Sequence, residues 1–303
     1  MPSNCAVCIG NFDGVHLGHQ ALLAAARRSV GPSGRVVAVT FDPMPAEALG
    51  GPFRRRLSRM GERQQLLSEH GADEVVVEPC TKRLLAQQPE EFINGLRAKL
   101  NFDVIVEGPD FRFGHKRTGS VETLRELGPR HSFTVEVVPD LLVRLEDASE
   151  VPARSTAARW LLEQGRVVDA RRMLGRAPLL DGRVMPGDQR GRTLGFPTAN
   201  LEVGPLLLPA DGVYSAIAEL PDGSRRRAAV SVGTKPTFGD SPRTVEAHIL
   251  DWSAPLNEYG WPLRLHLGRW IRSQQVCSGI AELVELIRRD CARVRESAEA
   301  FAA

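Results

Sequence analysis

Ala6-Val7-Cys8-Ile9-Gly10-Asn11-Phe12-Asp13-Gly14-Val15-His16-Leu17-Gly18-His19-Gln20 decides the reading of the first half of the chain. The four apolar residues show no alternation, which suits a strand covered on both faces. A helix is expected from Ala21 to Arg28. A glycine-bearing loop between a strand and a helix N-terminus presents backbone donors and a positive dipole end to an anion. His16 and His19, three apart, fall on one face near that N-terminus, where each can set an N–H against a phosphate. A single histidine there is more often a cap or a surface residue. Two histidines framing a glycine, directly after a buried strand and an Asp-Gly turn, are harder to explain that way.

The buried-strand pattern recurs at Val36-Val37-Ala38-Val39-Thr40, Val75-Val76-Val77, Val104-Ile105-Val106 and Val135-Glu136-Val137-Val138. Helical segments lie between, among them Arg63 to His70, closed by Gly71, and Glu90 to Leu100 after Pro89. Strands alternating with helices predict a Rossmann-like, doubly wound parallel sheet whose ligands bind at the carboxyl ends of the strands. Phe41-Asp42-Pro43-Met44-Pro45 and Glu107-Gly108-Pro109-Asp110-Phe111-Arg112-Phe113-Gly114 follow two of those strands, where a flavin or nucleotide should lie. Thr156 to Gln164 and Val167 to Leu174, each followed by glycine, read as helices ending this first domain at residue 175.

From residue 176 the texture changes to short alternating runs: Gly182 to Met185, Gly212 to Ala218, Arg227 to Val232, Val245 to Leu250 and Leu263 to Leu267. Turn residues such as Pro221-Asp222-Gly223 separate them, so a small antiparallel β-barrel is expected over 176–303, finished by an amphipathic helix from about Ile280 to Arg295. At its entrance stands Gly191-Arg192-Thr193-Leu194-Gly195-Phe196-Pro197-Thr198-Ala199-Asn200. Freed backbone N–H groups there suit phosphate oxygens, and Thr198 and Asn200, on one face if extended, offer neutral oxygens to a hard cation such as Mg²⁺. On residue types alone, a Gly/Pro turn into a barrel strand fits this run equally well. Glu246 shares a strand face with Thr244 and His248, a position from which a glutamate usually points to water.

With 42% hydrophobic and 25% charged residues, the 303-residue chain has the composition of a soluble globular protein with two full cores. The 39 basic residues nearly cancel the 37 acidic ones, so charge gives no case for nucleic acid or a membrane surface as partner. The absence of a long apolar run or a signal-like start makes the cytoplasm the default location. Five scattered cysteines argue against a disulfide framework, and Cys5 and Cys8, in the apolar run, read as packing residues.

GNFDGVHLGHQ resembles the H-x-G-H nucleotidyltransferases, and specifically the adenylyltransferase half of bacterial bifunctional FAD synthetases. The run from Gly191 to Asn200, with Gly182-Arg183-Val184 to Gly187 ahead of it, resembles the riboflavin kinase signature. The resemblance covers nearly the whole chain. It implies riboflavin or FMN and ATP as small-molecule substrates, Mg²⁺ at Thr198 and Asn200, and Glu246 as the general base of riboflavin phosphorylation. It also implies nucleotide and flavin contacts from Gly10, Asn11, Asp13, Gly14, Gly18, Asp110, Phe111, Gly182, Gly187, Gly191, Arg192, Gly195 and Pro197. Ser155, Thr156 and Arg159, in Arg154-Ser155-Thr156-Ala157-Ala158-Arg159, match a phosphate-contacting motif, and with His16 and His19 they are expected to stabilise charge during FMN adenylylation. The chain departs from the family at Met44 (usually histidine), Arg154 (serine), Ala158 (isoleucine), Ser231 (asparagine), Lys235 (arginine), Gln274 (glutamate) and Cys277 (phenylalanine). Two other readings accommodate those departures: a relative in which one half has drifted in activity or substrate, and a flavin-binding protein without turnover. A monomer or weak homo-oligomer is expected.

Overall fold

The computed structural model describes residues 4–50, 55–187, 190–234, 243–252 and 258–297. Lys235 to Phe238 of the barrel lie outside them. The chain divides into two compact units, one of Met1–Val143 with Glu150–Ser155, the other of Arg144–Ser149 with Thr156–Ala303. Among the described residues, no helix is long and apolar enough to cross a membrane.

The first unit runs β1 (Cys5–Ile9), α1 (Leu17–Val30), β2 (Arg35–Asp42), α2 (Pro45–Ala48), α3 (Met60–Glu69), β3 (Glu74–Pro79), α4 (Lys82–Leu85), α5 (Pro89–Leu100), β4 (Val104–Glu107), α6 (Val121–His131) and β5 (Thr134–Val137). The short strands β6 (Leu142–Arg144) and β7 (Glu150–Pro152) then form a two-stranded ribbon. The main sheet is parallel, in the order β3-β2-β1-β4-β5. Both of its faces are covered, which is why its strands read as unbroken apolar runs. Cys5, Val7, Ile9, Val37, Val39 and Ile105 meet α5 and α6 through Phe92, Ile93, Leu96, Leu124 and Leu127. Ala6, Cys8, Val36, Ala38 and Val106 meet α1 and α3 through Leu23, Ala26, Leu66 and Leu67. Cys5 and Cys8 thus pack into opposite layers. The chain winds outward from β1 through β2 to β3, and later from β4 to β5, so the strand order reverses between β1 and β4. Such a switch point opens a crevice at the carboxyl ends of the strands.

α1 begins at Leu17, four residues before the expected Ala21, because His16 caps it and its Nδ1 accepts the His19 N–H at 3.4 Å. α3 likewise starts at Met60 rather than Arg63.

The second unit contains α7 (Ser155–Glu163, its first residue belonging to the first unit), α8 (Val167–Leu174), β8 (Leu179–Met185), α9 (Arg190–Thr193), β9 (Ala199–Glu202), β10 (Gly212–Glu219), β11 (Arg225–Gly233), β12 (Thr244–Ile249), β13 (Pro262–Arg272) and α10 (Ile280–Glu296). Six antiparallel strands close into a barrel in the order β10-β11-β12-β9-β8-β13. Val245, Ala247 and Ile249 are buried while Thr244, Glu246 and His248 are half-buried, the alternation expected of a barrel wall. Outside the wall, α10 covers Ala229 and Leu250 with Cys291 and Val294.

At the switch point the last residue of β4, Glu107, is only 2% exposed, and its Oε1 accepts the Ile9 N–H at 2.6 Å. Burial pushes the carboxyl well above its usual value of 4.5. An acid raised by folding loses stability as pH climbs from its unfolded pKa, because the unfolded chain releases the proton first. Glu107→Gln keeps the acceptor for Ile9 and removes the ionisation. Thermal unfolding of both proteins between pH 5 and 8 should show the variant gaining on the parent as pH rises. The gain should be about 1.4 kcal/mol for each pH unit between the unfolded and folded pKa values, and a difference independent of pH would contradict a buried, raised carboxyl.

Candidate active sites

Between β1 and α1 the backbone takes a path that L-residues rarely adopt. Phe12, Gly14 and Val15 have φ of 48°, 80° and 40°. A β-branched residue in this region costs on the order of 1–3 kcal/mol and persists only where its surroundings over-determine it. They do so here. The Asp13 carboxylate, 1% exposed, accepts from the Leu57 N–H at 3.1 Å, the Ser58 N–H at 3.2 Å and Nη2 of Arg63 at 3.3 Å. The Gly14 N–H donates to Ser58 Oγ at 3.0 Å, Gln20 Nε2 to the Val15 carbonyl at 2.9 Å, and Thr40 Oγ1 to the Asn11 carbonyl at 3.1 Å. Ser58, Arg63 and Thr40 carried no signal in the sequence, because each meets the loop from another element or another turn.

The rings of His16 and His19 stack at 3.5 Å and 24°, and the edge of Phe12 meets His19 at 5.0 Å. Burial, together with the charges of His16 and Arg63, holds His19 well below the ordinary imidazole range. Its neutral ring is therefore the form present at neutral pH. Gly18 is required by its surroundings, since a Cβ there would stand 2.8 Å from the Ala153 carbonyl oxygen. Gly10 donates its N–H to Val39 at 3.0 Å, which leaves Asn11 exposed at the sheet edge.

The loop after β4 joins the same edge. Phe111 and Phe113 stack at 5.3 Å, with Phe113 buried and Asp110 exposed. Arg154 reaches both Asp110, at 2.5 Å, and Asp140, at 2.7 Å. Its neighbour Ser155 donates from Oγ to the Asp13 carbonyl at 2.8 Å. The arginine that replaces a usual serine thus ties the β4 loop to the segment after β5, while Ser155 makes the bond to the β1 loop. Met44 is buried at the start of α2, beside the Arg56 ion pairs with Glu47 and Asp42. Thr156 and Arg159, three apart, share a face of α7, Thr156 being exposed.

In the barrel unit, strand register brings the polar residues of the second motif into one row. Ser231 on β11 lies opposite Glu246 on β12, Glu246 opposite Asn200 on β9, and Asn200 opposite Met185 on β8. Directly paired residues project from the same face, with β-carbons about 5 Å apart. Glycines admit this arrangement. A Cβ at Gly187 would fall 2.0 Å from Asn200 Nδ2, one at Gly182 2.2 Å from the Glu202 carbonyl oxygen, and one at Gly191 2.4 Å from that of Phe196. The turn from Gly191 closes on itself, with the Phe196 N–H donating to the Gly191 carbonyl at 2.8 Å and Gly195 at φ 84°. Arg192, Pro197 and Thr198 are exposed along it. His248 fixes its far end, donating from Nδ1 to the Pro197 carbonyl at 2.9 Å, with its ring edge-on to Phe196.

Two departures from the family pattern prove to be bonded to each other. Gln274 Nε2 donates to Ser231 Oγ at 3.0 Å and to the Val232 carbonyl at 3.2 Å. Cys277, in place of an aromatic, is buried, and burial pushes its thiol up.

The FAD synthetase family model matches residues 1–151, and the riboflavin kinase model matches residues 174–298. The bifunctional riboflavin kinase/FMN adenylyltransferase of Escherichia coli strain K12 is 34% identical over 96% of this chain and 92% of its own. The protein of that name from Haemophilus influenzae is 32% identical over 98% and 94%, and that from Buchnera aphidicola of Schizaphis graminum 32% over 97% and 94%. A crystal structure described as a macrolide-efflux protein from Streptococcus pneumoniae superimposes with a TM-score of 0.85 at 28% identity, covering 97% of this chain and 95% of that one. With both domains present in order and similarity running nearly end to end, this chain belongs to the family of bifunctional riboflavin kinase/FMN adenylyltransferases.

Proposed function

We propose that the chain makes FAD in two steps, phosphorylating riboflavin to FMN in the barrel, residues 176–303, and adenylylating FMN in residues 1–175. The observation that carries this reading is the direct pairing of Asn200 with Glu246, which sets an amide and a carboxylate side by side behind a glycine-lined turn. In the first step Glu246 accepts the proton of the terminal ribityl hydroxyl as its oxygen bonds to the γ-phosphorus of ATP. The bond from that phosphorus to the bridging oxygen breaks, and ADP leaves. Positioning and charge neutralisation carry most of such a barrier. Gly187, Gly191, Arg192 and Gly195 line the phosphates, while Gly182 lets β8 and β9 approach.

Thr198 and Asn200 suit Mg²⁺, because a hard cation prefers neutral and anionic oxygens and Gly187 leaves the Asn200 amide the space a side chain would fill. Bound there, the ion would neutralise charge on the ATP phosphates. Pro197, held through its carbonyl by His248, fixes the approach of Thr198.

In the second step a phosphate oxygen of FMN bonds to the α-phosphorus of another ATP and pyrophosphate leaves. The substrate supplies its own anionic nucleophile, so the protein's part is alignment and charge stabilisation. His16 and His19 offer ring N–H groups to the oxygens of the transferring α-phosphoryl group, Gly10, Asn11, Asp13, Gly14 and Gly18 shape the loop around it, and Ser155, Thr156 and Arg159 receive the pyrophosphate. Asp110 and Phe111 border the flavin.

Purified protein given riboflavin, ATP and Mg²⁺ should yield FMN and FAD, resolved by chromatography. Glu246→Gln or Asn200→Ala should lower FMN formation by about a hundredfold or more. FAD formation from supplied FMN should stay within about twofold, and equal loss of both activities would contradict separate sites.

His19→Ala should do the reverse, lowering adenylylation of supplied FMN by about a hundredfold while riboflavin phosphorylation persists. Unchanged FAD formation would remove His19 from the mechanism.

A further inference from the structure

We infer that Gln274 is a positioning residue for phosphoryl transfer, acting through Ser231 on the strand pair that bears Glu246. The inference rests on Glu246 being the base of the kinase step. Gln274 stands two residues beyond the end of β13, where the chain leaves the barrel. Its exit is fixed by Arg272, whose Nε donates to both oxygens of Asp290 on α10, at 3.0 and 3.1 Å, and whose Nη2 donates at 2.8 Å. Asp290 is 3% exposed, so this bidentate pair is withdrawn from solvent and sets the segment's direction.

From that anchor the Gln274 amide nitrogen spends both N–H groups on β11, one on Ser231 Oγ at 3.0 Å and one on the Val232 carbonyl at 3.2 Å. A carbonyl only accepts, so the side chain at 274 must be a donor towards it. A carboxylate at this position would set one oxygen against the Val232 oxygen with no hydrogen between them. Ser231 lies directly opposite Glu246, and Glu246 opposite Asn200, all on one face. The amide of Gln274 is therefore one side chain removed from the base. Along the row Ser231, Asn200 and Gln274 are neutral, His248 is held at the Pro197 carbonyl, and Asp290 neutralises Arg272. Gln274 thus braces the end of β11 beside the base without placing a second negative charge there.

A double-mutant cycle in the full chain tests this, using steady-state FMN formation with adenylylation of supplied FMN as internal control. Gln274→Glu should lower kcat for FMN formation by about tenfold, with a smaller change in the KM for riboflavin and the control within about twofold. Ser231→Asn, whose amide can donate to the new carboxylate, should restore most of the loss when added, a coupling typical of directly bonded residues. Additive effects, or a Gln274→Glu variant as active as the parent, would overturn the inference. If Gln274→Glu shows no cooperative unfolding transition, Gln274→Met and Ser231→Ala take over the cycle. The methionine should lower kcat and the alanine should then add nothing, whereas summed losses would overturn the inference. Glu246→Gln, assayed alongside, separates the two ideas. FMN formation surviving that change removes the base, whereas its loss together with an additive cycle removes only the role of Gln274.

Discussion

A carboxylate taken out of water must collect hydrogen-bond donors or give up its charge. Asp13 collects them from Leu57, Ser58 and Arg63, and in doing so fastens a left-handed backbone path between β1 and α1. Together with the Gln20 amide on the Val15 carbonyl and the Thr40 hydroxyl on that of Asn11, that cluster opposes relaxation of Val15 into an ordinary conformation and so keeps the seat of the stacked His16 and His19. The Ser155 hydroxyl, bonded to the Asp13 carbonyl, extends the same constraint to the start of α7. Arg63 is fully buried. Its charge, after burial and the charge of His16, helps to keep His19 neutral. The same buried arginine thus both anchors the loop through Asp13 and adds, after burial and the His16 charge, to the forces that keep His19 neutral.

The barrel solves a similar problem with register rather than burial of charge. Antiparallel pairing of β9, β12 and β11 delivers Asn200, Glu246 and Ser231 to one row without any of them choosing a strained backbone. Ahead of β9, glycines at 187 and 191 admit contacts that a Cβ would block. The two units thus position their polar side chains by separate physical routes.

Much of this was legible in the chain. Unalternated runs gave a parallel sheet because both faces of β1 are covered, Cys5 packing on one side and Cys8 on the other. Alternation gave the barrel wall, and the polar row follows once Glu246 and Asn200 are set on neighbouring strands. Helix starts were less legible. α1 is capped by a histidine ring nitrogen and α3 by Arg59 with no side-chain bond, neither of which is a usual signal. Partners far apart in sequence left no trace at all. Arg63 meets Asp13 across 50 residues and Gln274 meets Ser231 across 43, and local composition records neither. Glu107, an acid ending an apolar run, gave no sign that it would be buried at the switch point.

The central claim is that one chain moves two different phosphorus atoms of ATP onto a flavin at two separate sites. Parallel incubations of the protein with riboflavin, Mg²⁺ and ATP labelled at either the γ- or the α-phosphorus follow those atoms directly. Label from the γ-position should enter FMN and be carried into FAD, whereas label from the α-position should enter FAD alone. Absence of γ-label from FMN, or α-label appearing in FMN, would contradict the account.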